Sequence, residues 1–219
     1  MPLALFDLDN TLLAGDSDYL WGRFLVERGI VDGEEYESEN ERFYSQYLEG
    51  SLNIEEFLAF QLRPLAAHPR HQLEAWRAAF LREKIEPVML PAARALIERH
   101  RRRGDLPVII TATNRFITAP IAERFGVEHL IATEPAMENG EYTGGVHGTP
   151  CFQAGKVTRL HEWLDRHGQG LDGASFYSDS HNDLPLLERV AHPVAVDPDP
   201  KLRQVAEARG WPVISLRAD

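Results

Sequence analysis

The 219-residue chain has a single cysteine, Cys151, which excludes an internal disulfide framework and any cysteine-rich zinc site and fits a reducing compartment. Long hydrophobic runs are also missing. None approaches the roughly 18 apolar residues of a membrane span, and the first residues carry no basic segment leading into a long apolar one. A cytoplasmic enzyme without membrane attachment is therefore expected, as monomer or homodimer. No repeat or low-complexity segment is present. Surplus positive charge is lacking too: the formal net charge is −11, and residues 1–60 hold fourteen Asp or Glu against three Arg and no Lys. The remaining residues balance. A nucleic-acid partner needs a basic face, so no nucleic-acid partner is expected. The one basic run, Arg101-Arg102-Arg103, closes a helical pattern before Gly104, where cations complement the helix dipole.

What the chain does contain begins with Leu3-Ala4-Leu5-Phe6-Asp7-Leu8-Asp9-Asn10-Thr11-Leu12, an apolar run of strand length that stops on two carboxylates. A near-continuous apolar run reads as a buried parallel strand, and open α/β sheets place their chemistry just past the carboxyl ends of such strands. Two neighbouring carboxylates repel and raise each other's pKa unless a cation lies between them. A hard divalent ion with oxygen ligands, Mg²⁺ by default, is the simplest companion. The competing reading is that Asp9-Asn10-Thr11 only caps a helix or turns the chain.

Some eighty helical residues follow. Ser17–Arg28, Asp32–Leu48, a third helix opened by the capping box Asn53-Ile54-Glu55-Glu56, and Pro69–Lys84 carry apolar side chains at helical spacing. That block exceeds one βαβ crossover. Residues 15–84 are expected to form an inserted helical domain on an α/β core of residues 1–14 and 85–219; the alternative is that these helices simply cover the sheet. From Pro87 strands and helices alternate. A short strand Pro107–Ile110 ends on Thr111-Ala112-Thr113-Asn114. A strand near His129–Ala132 precedes a glycine-rich hairpin or loop. Gly155-Lys156 opens a helix, and the strand Ala174–Ser178 runs into Asp179-Ser180-His181-Asn182-Asp183. The fold class expected is a doubly wound, mainly parallel, Rossmann-like α/β sheet with an α-helical insertion.

Asp7 with Asp9, Thr111, Lys156 and the pair Asp179 and Asp183 thus all stand at strand or helix ends. Jointly they describe phosphoryl transfer. A carboxylate attacks to give an aspartyl phosphate; a metal and a lysine neutralise the phosphate oxygens, which a hydroxyl and backbone N–H groups hold; and a second acid handles the leaving-group proton. Gly155-Lys156 is no P-loop, because Val157 stands where Ser or Thr is needed and Pro150 where the first Gly belongs. A receiver-type signalling module also pairs a phosphoacceptor Asp with Thr and Lys, but it is shorter than this chain and has no helical insertion.

These residues resemble the four motifs of the haloacid dehalogenase superfamily, over essentially the whole chain, and more closely the phosphoserine-phosphatase-like subfamily with a helical cap after the first motif. The resemblance implies Asp7 as nucleophile and Asp9 as general acid and then base. It implies Mg²⁺ held by the Asp7 side chain, the Asp9 carbonyl and Asp179, with Asp183 orienting the metal waters. Thr111, Ala112, Lys156 and Asn182 are implied at the phosphate. Ser178 and Ser180 depart from the subfamily's glycines, which puts the substrate, not the chemistry, in question. His181 and Cys151 are read as structural.

In phosphoserine phosphatases an acid nine positions after the nucleophile faces the substrate ammonium, and Asp16 has that spacing. Asp16 and Asp18 therefore point to an aminated phosphate ester, unless Asp-Ser-Asp merely starts a helix. Arg63 is the nominee for a substrate carboxylate, with no motif behind it. The expected substrate is a small-molecule phosphate ester, histidinol phosphate ahead of phosphoserine, with a non-aminated metabolite as the alternative.

Overall fold

The computed structural model describes residues 1–217. β1 (Leu3–Phe6) is followed by four helices, α1 (Ser17–Glu27), α2 (Gly33–Glu49), α3 (Ile54–Ala67) and α4 (Arg70–Phe80). A π turn (Leu81–Ile85) and a 3-10 turn (Glu86–Val88) lead into α5 (Pro91–Arg102), β2 (Leu106–Asn114), α6 (Arg115–Arg124) and the antiparallel pair β3 (His129–Glu138) and β4 (Glu141–His147). Then come α7 (Ala154–His167), β5 (Ser175–Ser178), a 3-10 turn (His181–Asp183), α8 (Leu184–Leu187), β6 (His192–Val196), α9 (Pro200–Arg209) and β7 (Val213–Ile214). The strands form one sheet in the order β4-β3-β2-β1-β5-β6-β7, parallel except at β4. Among the described residues no helix is long and apolar enough to cross a membrane.

Alternation along the strands builds two cores. Ala4, Phe6, Ile109, Leu130, Ala132, Tyr177 and Val194 face one side, with α1, α3, α4, α5 and α6; Leu3, Leu5, Val108, Ile110, Ile131, Phe176 and Ala195 face the other, with α7, α8 and α9. Both faces of the parallel strands are therefore apolar, as a sheet covered on two sides requires, and the doubly wound class is what the chain adopts. The helices after β1 do not stand apart from the sheet. Trp21, Phe24, Leu58, Leu62, Leu73 and Phe80 belong to the first core, and only Tyr36, Phe43 and Phe60 form a small cluster of their own.

Caps set the helix starts. Asp16 accepts from the Asp18 and Tyr19 amides, Asp32 from Glu35, and Asn53 from Glu55 and Glu56. Gly22 lets α2 lie close on α1: a Cβ there would sit 2.5 Å from Tyr36 Cε1 and 3.0 Å from Asn40 Nδ2. Chain direction across the sheet reverses between β1, whose successor β2 lies on one side, and β5 on the other. Ligands bind at such a switch point, outside the carboxyl ends of the strands.

Candidate active site

Asp7 follows the last residue of β1, Thr111 lies in the distal half of β2, and Asp179 follows the last residue of β5. The Asp7 amide donates to the Tyr177 carbonyl at 2.9 Å, so the ends of β1 and β5 are tied together. Lys156, in the first turn of α7, is buried and donates to Asp7 Oδ1 at 2.7 Å and to Asp183 at 2.8 Å. Gly155 is required just before it, because a Cβ there would meet the Pro150 carbonyl oxygen at 2.0 Å.

Thr11 and Asp179 are joined twice: the Thr11 hydroxyl donates to Asp179 Oδ1 at 2.9 Å and accepts from the Asp179 amide at 3.0 Å, and it stands 3.4 Å from Asp7 Oδ2. Asp9 accepts from the Ser17 amide at 2.6 Å and the Thr113 hydroxyl at 2.8 Å, with the Thr111 hydroxyl at 3.4 Å. Asn182 accepts from Gln153 Nε2 at 2.9 Å and donates to the Tyr47 carbonyl at 3.2 Å.

Burial governs the charges. It pushes Asp7 up to about 7 against the pull of Lys156, and pushes Asp9 up to about 6 with Asp16 adding to the effect. Asp179 is raised well above the usual carboxylate range by burial and by Asp7. Burial opposes the charge of Lys156, but Asp183 and Asp7 outweigh it and hold the ammonium above its ordinary value. Two buried carboxylates, Asp7 and Asp183, thus share one ammonium, and a third, Asp179, is held by the Thr11 hydroxyl with no cation of its own among the described residues. That excess of negative oxygen fits a hard divalent cation. Among the described residues no group of three His, Cys, Asp or Glu side chains is arranged to hold a metal, so a cation here must draw on two carboxylates and on other oxygens.

One pocket collects Asp7, Asp9, Thr111, Ala112, Thr113, Lys156, Asn182 and Asp183 at its floor and Asp16, Asp18, Tyr19, Asn40, Phe43, Tyr44, Tyr47, Leu52, Ile54, Phe57 and Gln61 from the helices above, with Phe152 at the side. Every residue expected from the sequence at the chemistry is brought here except Asp179, which stands beside the pocket and is linked to Asp7 through Thr11. Arg63 is not brought here. Its side chain is 56% exposed, pairs with Glu35 at 3.3 Å and stacks over Phe60, outside the pocket. The assignment of Arg63 to a substrate carboxylate is corrected accordingly: its position on α3 turns it outward to an acid of α2.

Asp16 and Asp18 separate as well. Asp16 Oδ1 is taken by two helix-start amides, whereas Asp18 is 5% exposed and its Oδ1 has no partner among the described residues. Burial, then Asp16 and Asp9, raise the Asp18 pKa well above the usual range. Ser178 and Ser180 do not line the pocket; they bind within the loop, Ser178 donating to Asp183 at 2.7 Å and Ser180 accepting from the Asn182 amide at 3.2 Å. His181 does not line the pocket, and its Nδ1 pairs with Asp199 at 2.8 Å. Cys151 is buried and its thiol is pushed up to about 12, which removes it as a nucleophile. Thr11, Thr113 and Ser17 were not singled out from the sequence. The period of two along a strand places Thr113 on the face of Thr111, and that signal was available.

Acids and hydroxyls gathered around one buried ammonium, at the strand ends of a doubly wound sheet, define an α/β enzyme built to handle an anionic group. The family model for haloacid dehalogenase-like hydrolases matches residues 4–188. The chain belongs to this family. A histidinol-phosphatase of Neisseria meningitidis serogroup C is 43% identical over 219 residues, with 98% of this chain and 99% of that protein covered. A phosphoserine phosphatase of Mycobacterium tuberculosis is 31% identical over 220 residues, with 98% of this chain and 70% of the relative covered. A solved structure, described as a protein of unknown function from Bordetella pertussis Tohama I, has a TM-score of 0.93 at 47% identity and covers 98% of each chain. The enzyme is a phosphoric monoester hydrolase.

Proposed function

We propose that this chain is a Mg²⁺-dependent phosphomonoesterase that works through an aspartyl phosphate on a small aminated phosphate ester, histidinol phosphate first and phosphoserine second. One observation carries the substrate. Among the described residues lining the pocket, Lys156 is the only cation, and it is paired with Asp7 and Asp183. No guanidinium or ammonium is left for a substrate carboxylate, while Asp16, Asp18 and the rings of Phe43, Tyr44 and Phe57 suit a basic, planar group. The relative named histidinol-phosphatase, at 43% identity over nearly its whole length, supports the same choice.

In this reading residues 15–84 are the cap that selects the leaving group, over an α/β core of residues 1–14 and 85–219. Asp7 attacks phosphorus as the ester P–O bond breaks, and Asp9 gives its proton to the departing oxygen. A carboxyl near 6 keeps that proton available close to neutrality. Asp9 then takes a proton from water, whose oxygen displaces Asp7 and releases phosphate. Thr111, the Ala112 amide, Lys156 and Asn182 hold the phosphate oxygens. The side chains of Asp7 and Asp179 with the Asp9 carbonyl would hold Mg²⁺, and Asp183 would orient its waters. When bound, the ion supplies charge neutralisation for the phosphoryl oxygens.

A phosphate-release panel tests the reading with Mg²⁺ present: histidinol phosphate, phosphoserine, phosphoethanolamine, glycerol phosphate and p-nitrophenyl phosphate. Histidinol phosphate is expected to give the highest kcat/KM. A non-aminated metabolite ester that exceeds it by about tenfold, or 1.4 kcal/mol, would overturn the assignment.

A further inference from the structure

The helical end of the pocket contains a polar relay that the chemistry above leaves unused. The Tyr36 hydroxyl donates to Gln61 Oε1 at 3.1 Å, and Gln61 Nε2 donates to Asn40 Oδ1 at 3.2 Å. In this direction the relay engages the Asn40 carbonyl and leaves its NH₂ group as the terminal donor, on a buried residue that lines the pocket. Asp18 lines the same pocket, and its buried Oδ1 has no partner among the described residues.

Both groups line the same end of the pocket. Gly22 follows Asp18 by four residues on α1 and so shares its face, and Asn40 Nδ2 lies 3.0 Å from where a Gly22 Cβ would be. A buried carboxylate without a donor is costly. Asp18 therefore has the properties of a group kept for a ligand, and the donor beside it narrows the ligand. What meets one acceptor and one donor within an aromatic-walled pocket is a flat ring with one N–H and one bare nitrogen, which describes neutral imidazole. Asp16 cannot fill this place with its Oδ1, which accepts the Asp18 and Tyr19 amides, both at 2.9 Å.

We propose that Asp18 and Asn40 form an imidazole-recognition pair, Asp18 accepting from the ring N–H and Asn40 donating to the other ring nitrogen, with Asp16 serving α1 as its N-cap. This deepens the proposed function and rests on it. Phe43, Tyr44 and Phe57 supply the faces along which the ring lies.

The test compares histidinol phosphate with phosphoethanolamine, which has the ammonium but no ring, and with p-nitrophenyl phosphate, which has neither. Asp18→Asn should raise KM for histidinol phosphate by roughly 10- to 100-fold, the scale of one charged hydrogen bond. KM for the other two esters, which lack the imidazole ring, should move by less than about threefold, and a circular-dichroism melt shows that the variant folds. Asn40→Asp keeps an acceptor for Gln61 but removes the donor. It should weaken calorimetric binding of L-histidinol at pH 8, where the ring is neutral, by about tenfold. Equal effects of Asp18→Asn on histidinol phosphate and phosphoethanolamine, or tighter L-histidinol binding by Asn40→Asp, would overturn the pair while leaving the substrate assignment in place. A wild-type enzyme with no preference for histidinol phosphate overturns both, and does so before any substitution is made.

Discussion

The two ends of the pocket are built on opposite terms. At the strand ends every carboxylate has a partner: Asp7 and Asp183 have Lys156, Asp9 has Ser17 and Thr113, and Asp179 has Thr11. At the helical end the walls are Phe43, Tyr44 and Phe57, and the buried Asp18 Oδ1 has no partner among the described residues. A floor whose groups are held by one another is organised before any ligand arrives, which suits chemistry that depends on fixed charges. A roof with an unanswered acid gains its partner only from what binds, which suits selection. Changes at the floor should accordingly cost rate with every substrate, and changes at the roof should cost only the matching one.

Asp7→Asn gives the largest expected effect. It keeps the shape and removes the attacking charge, so kcat should fall by roughly 10⁴-fold or more with all phosphate esters, on the scale of losing a covalent nucleophile. Activity within about tenfold of wild type, measured by phosphate release, would break the division between floor and roof.

A smaller effect concerns stability. Asp7 and Asp9 sit at about 7 and about 6 against an ordinary value of 3.8, and Asp16, Asp18 and Asp179 are raised as well. Groups whose folded pKa is raised bind more protons folded than unfolded, so their contribution is complete below about 4 and is lost as pH rises through about 7. The chelated enzyme should therefore lose thermal stability between about pH 4 and pH 7. Mg²⁺ relieves the repulsion among ionised acids, so it should raise Tm more at pH 8 than at pH 5. Calorimetric scans with and without chelator measure this; a larger Mg²⁺ effect at pH 5 would contradict it.

The smallest expected effect is at Arg63. Its pair with Glu35 is exposed on both sides, and such pairs contribute about 0–1 kcal/mol. Arg63→Ala should leave kcat/KM for phosphoserine and for histidinol phosphate unchanged. A selective loss with phosphoserine would move Arg63 to the substrate.

Much of this arrangement was legible in the chain, for reasons that differ by residue. The strand Leu3–Phe6 stops on Asp7 because apolar runs do not tolerate charge, and that interruption is visible in one dimension. The helix starts at Asp16, Asp32 and Asn53 carry local capping chemistry, so their boundaries follow from a few neighbouring residues. The glycine-rich stretch after Ala132 reads as a hairpin or loop, and it is a hairpin: β3 runs to Glu138 and pairs with β4 across Asn139-Gly140, the length of its outer half being decided by strand pairing and not by its own apolar pattern. In sequence the spacing from Asp7 favours Asp16 for the substrate, yet both acids fit a helix start. Hydrogen bonding in three dimensions separates them: Asp16 Oδ1 accepts two helix-start amides, whereas Asp18 Oδ1 has no partner among the described residues. Ser178 and Ser180 were read as a sign about the substrate, yet their hydroxyls bind inside the loop. Arg63 failed because the direction of a long side chain on an exposed helix face depends on an acid 28 residues away.

The proposed mechanism turns on covalent transfer to Asp7, and one trapping measurement addresses it directly. Asp9→Asn removes the proposed proton donor and acceptor, but p-nitrophenolate leaves without a proton, so transfer to the enzyme should proceed and hydrolysis of the intermediate should stall. With Mg²⁺ and p-nitrophenyl phosphate, acid-quenched Asp9→Asn protein should carry one phosphoryl group per chain by intact mass, mapped by peptide sequencing to Asp7. A burst of nitrophenolate with the phosphoryl group on any other side chain, or steady turnover with none bound, would contradict the account.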